Sequence, residues 1–155
     1  SGKVSNWKDV GGKDVPVTLI ERKTGSGTRL SFVKVMMGGK DDESQSPAST
    51  QDSTQLVLQA VAGAPGGVSY VSVSSVKSSS VVAVGIDGSQ PTADNVKAGS
   101  YKYFAHEHMY TRTSASPLAE SFIAFILGAD FQSTTVTTLG YLPVATTSEQ
   151  SAADQ

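Results

Sequence analysis

The sequence predicts an α/β layer fold with a central, mostly parallel sheet flanked by helices. Three observations predict it. Apolar runs such as Val15 to Arg22 alternate with stretches whose apolar residues recur at helical spacing. A strand, a glycine turn and a helix follow one another directly between Ile20 and Met37. At 155 residues and 38% hydrophobic content, the chain can bury one core.

The elements follow in order. Ser5 to Gly12 reads as an opening loop with a short helical turn. Val15, Val17, Leu19 and Ile20 mark a buried strand ending at Arg22. Gly25-Ser26-Gly27-Thr28 is a tight turn. Leu30, Phe32, Val33, Met36 and Met37 then lie on a helix that Gly38-Gly39 ends. Lys40 to Ser53 is polar and acidic and contains Pro47, so it reads as a solvated loop. Leu56, Val57, Ala60 and Val61 define a second helix, capped by Ser53 or Thr54. After the turn Ala64 to Gly67, strands are expected at Val68 to Val73 and Val81 to Ile86. Asp87-Gly88 and Pro91-Thr92 punctuate a loop, and Tyr101 to Thr111 reads as extended. Pro117 to Leu127 carries Leu118, Phe122, Phe125 and Ile126 on one helical face, which needs cover. Leu139 to Val144 is a short strand or turn, and the polar tail follows from Thr146.

Composition excludes several functions. The net charge is −2 with scattered Lys and Arg, which argues against a nucleic-acid partner. There is no Cys, so disulfides, thiolate metal sites and Cys nucleophiles are out. No apolar run approaches the roughly 18 residues of a membrane span. The first residues show no signal-peptide pattern. Gly, Ser and Thr make up about a third of the chain, which suits a loop-rich domain with many exposed hydroxyls.

The segment that carries chemistry is Ile20 to Arg29. The free N–H groups and dipole of a helix start attract anions. Gly25 and Gly27 let the backbone approach a ligand closely. Ser26 and Thr28 add hydroxyl donors, and Arg22 at the strand's carboxyl end can fork onto two oxyanion oxygens. Together these residues form half of a tetrahedral oxyanion cradle. The plainer reading is a strand-to-helix turn with a cap. A P-loop would need Gly-Lys-Ser/Thr and a nucleophile elbow Gly-x-Ser-x-Gly, and neither spacing is present.

Other candidates are weaker. His106 and His108 would share one face of a strand, but two His without a third ligand make no metal site, so packing or hinge hydrogen bonding is expected. The Asp41-Asp42-Glu43 run lacks a calcium-loop pattern and reads as a solvated loop. Tyr101, Tyr103, Phe104 and Tyr110 read as core or lobe-contact surface. A hydrolase reading would make Ser26 a nucleophile, yet nothing in the sequence brings a His beside it. No catalytic residue, metal or cofactor is assigned.

The landmarks Asn6-Trp7-Lys8-Asp9-Val10-Gly11-Gly12, Arg22 to Arg29 with Phe32, Leu56 to Pro65 and Gly67-Val68-Ser69-Tyr70-Val71 occur in a recognisable order. They continue with Val84 to Gly88, Pro91-Thr92, Asn95-Val96, Gly99-Ser100-Tyr101, Glu107-His108-Met109-Tyr110-Thr111 and Gly140 to Val144. In these the sequence resembles the substrate-binding proteins of phosphate ABC transporters, in a Gram-positive form. The resemblance implies a single lobe of a type II periplasmic-binding-protein fold, which closes on phosphate like a hinge. It implies that Arg22, Ser26, Gly27 and Thr28 bind inorganic phosphate or another tetrahedral oxyanion. Arg29 is expected to be a structural or surface residue.

The resemblance further implies a phosphate-binding lobe over residues 1–98, a returning hinge and C-terminal helical segment over 99–145 packed on it, and a tail over 146–155. The family's first lobe, with more ligands and a proton-accepting Asp, is expected to be missing from this sequence. Selectivity against sulfate would go with it. An ABC permease, an extracytoplasmic location and a lipid-anchored parent are implied in the same way. Exposed lobe-contact surface would offer a route to a homodimer. The alternative is an adhesion or signalling module that keeps the fold without transport.

Overall fold

The computed structural model describes residues 3–41, 47–77 and 79–144. Strand β1 (Thr18–Arg22) leads into helix α1 (Gly27–Met36). Strand β2 (Ser49–Gln51) leads in the same way into α2 (Thr54–Gly63), and β3 (Gly67–Val68) follows. Short helices α3 (Val73–Val76) and α4 (Ala93–Lys97) come next. They are followed by α5 (Pro117–Leu127), the single turn α6 (Ala129–Phe131) and a π turn over Gln132–Val136.

The sheet is parallel, in the order β2-β1-β3. Ile20 pairs with Ser49 and Arg22 with Gln51 on one side of β1; Thr18 pairs with Gly67 and Leu19 with Val68 on the other. Ile20 and Val57 are the most deeply buried side chains, joined by Val33, Leu58, Tyr70 and Tyr101. The core therefore sits where α2 packs across the three strands, with Val33 of α1, Tyr70 and Tyr101 adding to it.

The opening segment locks onto the sheet edge. Asn6 caps a 3-10 turn over Trp7–Val10. The Trp7 indole donates to the carbonyl oxygen of Gly66 at 2.9 Å. Gly66 has φ +70, and a Cβ there would collide with the Pro16 carbonyl oxygen, so only glycine fits this crossing.

Several sequence expectations need correction. The solvated loop expected over 40–53 holds β2, a strand too short and polar for its pattern to show. The strand expected at 68–73 covers only Gly67–Val68 before α3 begins. No strand forms over 81–86; Val82 and Val84 are exposed, and Ile86 makes one isolated bridge to Ser89. The Val-rich composition suits a strand, but no neighbouring strand among the described residues offers that segment a ladder. The loop after Pro91 contains α4, capped by Thr92. Helix α5 forms over the expected residues, yet Phe122 and Phe125 remain 59% and 62% exposed, so the cover expected for them is not supplied. Asp42, Glu43 and the tail from Thr146 lie outside the described residues.

Candidate functional site: the carboxyl edge of the sheet

Adjacent parallel strands β1 and β2 end side by side, and each gives way at once to a helix. The N-termini of α1 and α2 therefore open at the same edge, where ligands of open α/β sheets bind. Ser26 caps α1 by accepting the Arg29 N–H at 3.4 Å, which leaves its own O–H as a donor. Ser53 caps α2 by accepting the Leu56 N–H at 3.3 Å. Helix geometry gives the N–H groups of Gly27 and Thr28 no acceptor inside α1. A Cβ added to Gly27 would meet nothing within 4 Å, so that face of the first turn is open.

Arg22 is the last residue of β1 and is only 7% exposed. Its Nη2 donates to the carbonyl oxygen of Asp52, at the start of the turn into α2, at 3.3 Å. Its Nε and Nη1 are buried and have no hydrogen-bond partner among the described residues. Burying a guanidinium is costly unless its donors are satisfied, so two idle donors on a buried cation are unusual for a purely structural arginine. The Nε and Nη1 hydrogens point to different sides of the guanidinium, so an anion at this edge would take one of them together with the second Nη2 hydrogen in the forked geometry that arginine offers.

The turn is braced on all sides. The Lys23 N–H donates to the Gln51 carbonyl at 2.8 Å and the Ser26 N–H to the Lys23 carbonyl at 3.1 Å. Gly25 takes φ +90, the left-handed conformation the turn needs. Arg29, expected as a structural or surface residue, is structural: its side chain is 13% exposed and its Nη1 donates to the Arg22 carbonyl at 2.8 Å.

The structure thus places Arg22, Ser26, Gly27 and Thr28 around one strand-to-helix connection. Sequence reasoning missed the β2–α2 side of the site. The one signal available was Ser53 before an apolar run, which read only as a cap. The rings of Phe104, His106, His108 and Tyr110 form a row with centroids 5.8, 6.5 and 6.1 Å apart, as alternate residues of an extended segment do. Among the described residues no group of three or more metal-ligating side chains stands together. No hydrogen bond there joins an imidazole to Ser26.

Comparisons with known proteins place the chain in a family. The sequence model of the PBP superfamily domain matches residues 1–130. The chain is 40% identical over 146 residues to the phosphate-binding protein PstS of Bacillus subtilis, covering 93% of this chain and 47% of that protein. It is 32% identical over 136 residues to phosphate-binding protein PstS 2 of Streptococcus agalactiae, covering 83% and 46%. Among solved structures, it is similar to a Clostridium perfringens chain ascribed to the phosphate ABC transporter substrate-binding proteins, with phosphate bound. The TM-score is 0.80 at 32% identity, covering 92% of this chain and 58% of that one. An ABC-type phosphate transport receptor from Vibrio cholerae gives a TM-score of 0.66 at 27% identity, covering 91% and 58%. The chain spans about half the length of the curated relatives it matches.

Proposed function

Because this chain belongs to the PBP superfamily, we propose that it is the phosphate-binding lobe of an extracytoplasmic solute-binding protein that serves an ABC importer. The observation that carries the reading is Arg22, a buried guanidinium with two unpartnered donors at the carboxyl edge of a parallel sheet. Arg22 forks onto two phosphate oxygens. The Ser26 and Thr28 hydroxyls and the Gly27 and Thr28 N–H groups take the others. The names of the relatives, and the phosphate bound to the Clostridium perfringens chain, support the ligand class.

The lobe spans residues 1–98 and the returning segment 99–145. The remaining ligands, including a carboxylate that accepts the phosphate proton, belong to a partner lobe outside these residues. The exposed Leu118, Phe122 and Phe125 of α5 suit a surface that such a lobe covers. The activity is binding, with handover to a permease, and involves no catalysis.

Calorimetry with phosphate and sulfate tests the reading. A half site open to water loses much of each contact's worth, and association costs roughly 4–15 kcal/mol in lost freedom. Binding is expected at a Kd of about 1 mM or weaker, with little preference between the two anions. Arg22→Ala should abolish it. Micromolar, phosphate-selective binding would refute the half-site reading, and anion binding untouched by Arg22→Ala would place the site elsewhere.

A further inference from the structure

We propose that Arg29 is the positioning residue of this anion site, acting through Arg22 and not on the anion itself; the assignment rests on the phosphate reading above. Arg29 lies in the first turn of α1, where a cation meets the positive end of the helix dipole. Such a placement needs compensation, and the structure supplies it from three directions. The Arg29 Nε and Nη2 fork onto the two carboxylate oxygens of Asp41 at 3.3 and 2.8 Å. The buried Glu21 carboxylate lies 3.7 Å from Nη1. That same Nη1 donates to the Arg22 carbonyl at 2.8 Å. Its guanidinium is therefore committed to protein acceptors.

Two consequences follow for the site. The Arg22 carbonyl is held from the helix side, while the tip of the Arg22 side chain is held from the β2–α2 side through Asp52. Arg22 is thus fixed at both ends, so the orientation of its guanidinium, and with it each idle donor, is set. Arg29 also offsets the negative charges of Glu21 and Asp41, which would otherwise oppose an anion beside Arg22. Lysine keeps the charge but loses the planar fork, so it cannot hold the strand end and Asp41 together.

The test is an NMR titration of the full 155-residue chain with inorganic phosphate, following the Gly27 and Thr28 amides. Wild type, Arg22→Ala, Arg29→Lys and the charge-removing double variant Glu21→Gln/Arg29→Gln are compared, each verified as folded by its amide spectrum. Arg29→Lys should bind phosphate about five- to tenfold more weakly at unchanged net charge, with faster amide exchange at Lys23 and Ser26. The double variant covers the case in which Arg29→Lys fails to fold, and should show the same loss. A wild type that responds to phosphate beside equally responsive Arg29 variants overturns this assignment and leaves the site standing. A wild type whose Gly27 and Thr28 amides ignore phosphate overturns the site and the assignment together.

Discussion

Phe32 and Tyr70 lie face to face, with ring centroids 4.2 Å apart and planes 5° from parallel. Tyr103 closes edge-on against Phe32 at 5.8 Å. The stack ties the middle of α1 to the chain just beyond β3 and to the returning segment. It thereby sets the direction of the helix whose first turn carries Gly27 and Thr28. Phe32→Ala should cost about 2–3 kcal/mol, somewhat less than a fully buried Phe would. Urea denaturation measures this, and a loss below about 1 kcal/mol would show that the stack contributes little.

Gly25 should tolerate no side chain, for a backbone reason alone. A Cβ there would meet nothing within 4 Å, yet φ is +90. Gly25→Ala is expected to cost about 1–2 kcal/mol through the left-handed conformation. A thermal melt of the variant matching that of the wild type would refute this.

Gly27 should behave in the opposite way. Its φ is not left-handed, and an added Cβ meets nothing within 4 Å. Gly27→Ala should leave the melting temperature unchanged or slightly raised, because alanine suits a helix by up to about 1 kcal/mol more than glycine. Phosphate affinity should fall, because the methyl group occupies the open face of the first turn. Calorimetry on a variant with wild-type stability reads the two effects apart.

Tyr101 is buried, and burial pushes its phenol pKa up. The unfolded chain therefore ionises at this position first as pH rises. Its contribution to stability is fully present below the unfolded value of about 10 and is lost as pH climbs from there through the higher folded value. Melting temperatures should fall more steeply above about pH 10 in the wild type than in Tyr101→Phe. Parallel curves for the two proteins would contradict the assignment.

The rings of α5 add little to the stability of this chain, because Phe122 and Phe125 are more than half exposed. Phe122→Ser combined with Phe125→Ser should shift stability by less than about 1 kcal/mol and reduce binding of an apolar dye. A loss of several kcal/mol would show that the rings are covered in solution.

Local signals were legible wherever the chain announces its own geometry. Ser26 and Ser53 cap the helices expected after them, and α5 spans the expected Pro117–Leu127, whereas Thr92, read as part of a loop, caps α4. The spacing of Arg22, Gly25, Ser26 and Gly27 pointed to an anion cradle, and the order of landmarks across the chain pointed to the family. Strands were read less well. The Val-rich 81–86 segment has strand composition without a partner, while polar Ser49–Gln51 is a strand because β1 offers it an edge.

The sequence by itself determined where α1, α2 and α5 form and which side chains could meet an oxyanion, since caps, glycine turns and apolar spacing act over three or four residues. Only the tertiary structure decided that β2 lies beside β1, that the Asp52 carbonyl steadies Arg22, and that Arg29 holds the Arg22 carbonyl while gripping Asp41. These relations join residues up to 30 positions apart. A strand's pairing and a buried cation's partners depend on what the fold brings alongside, and no short window of sequence contains that.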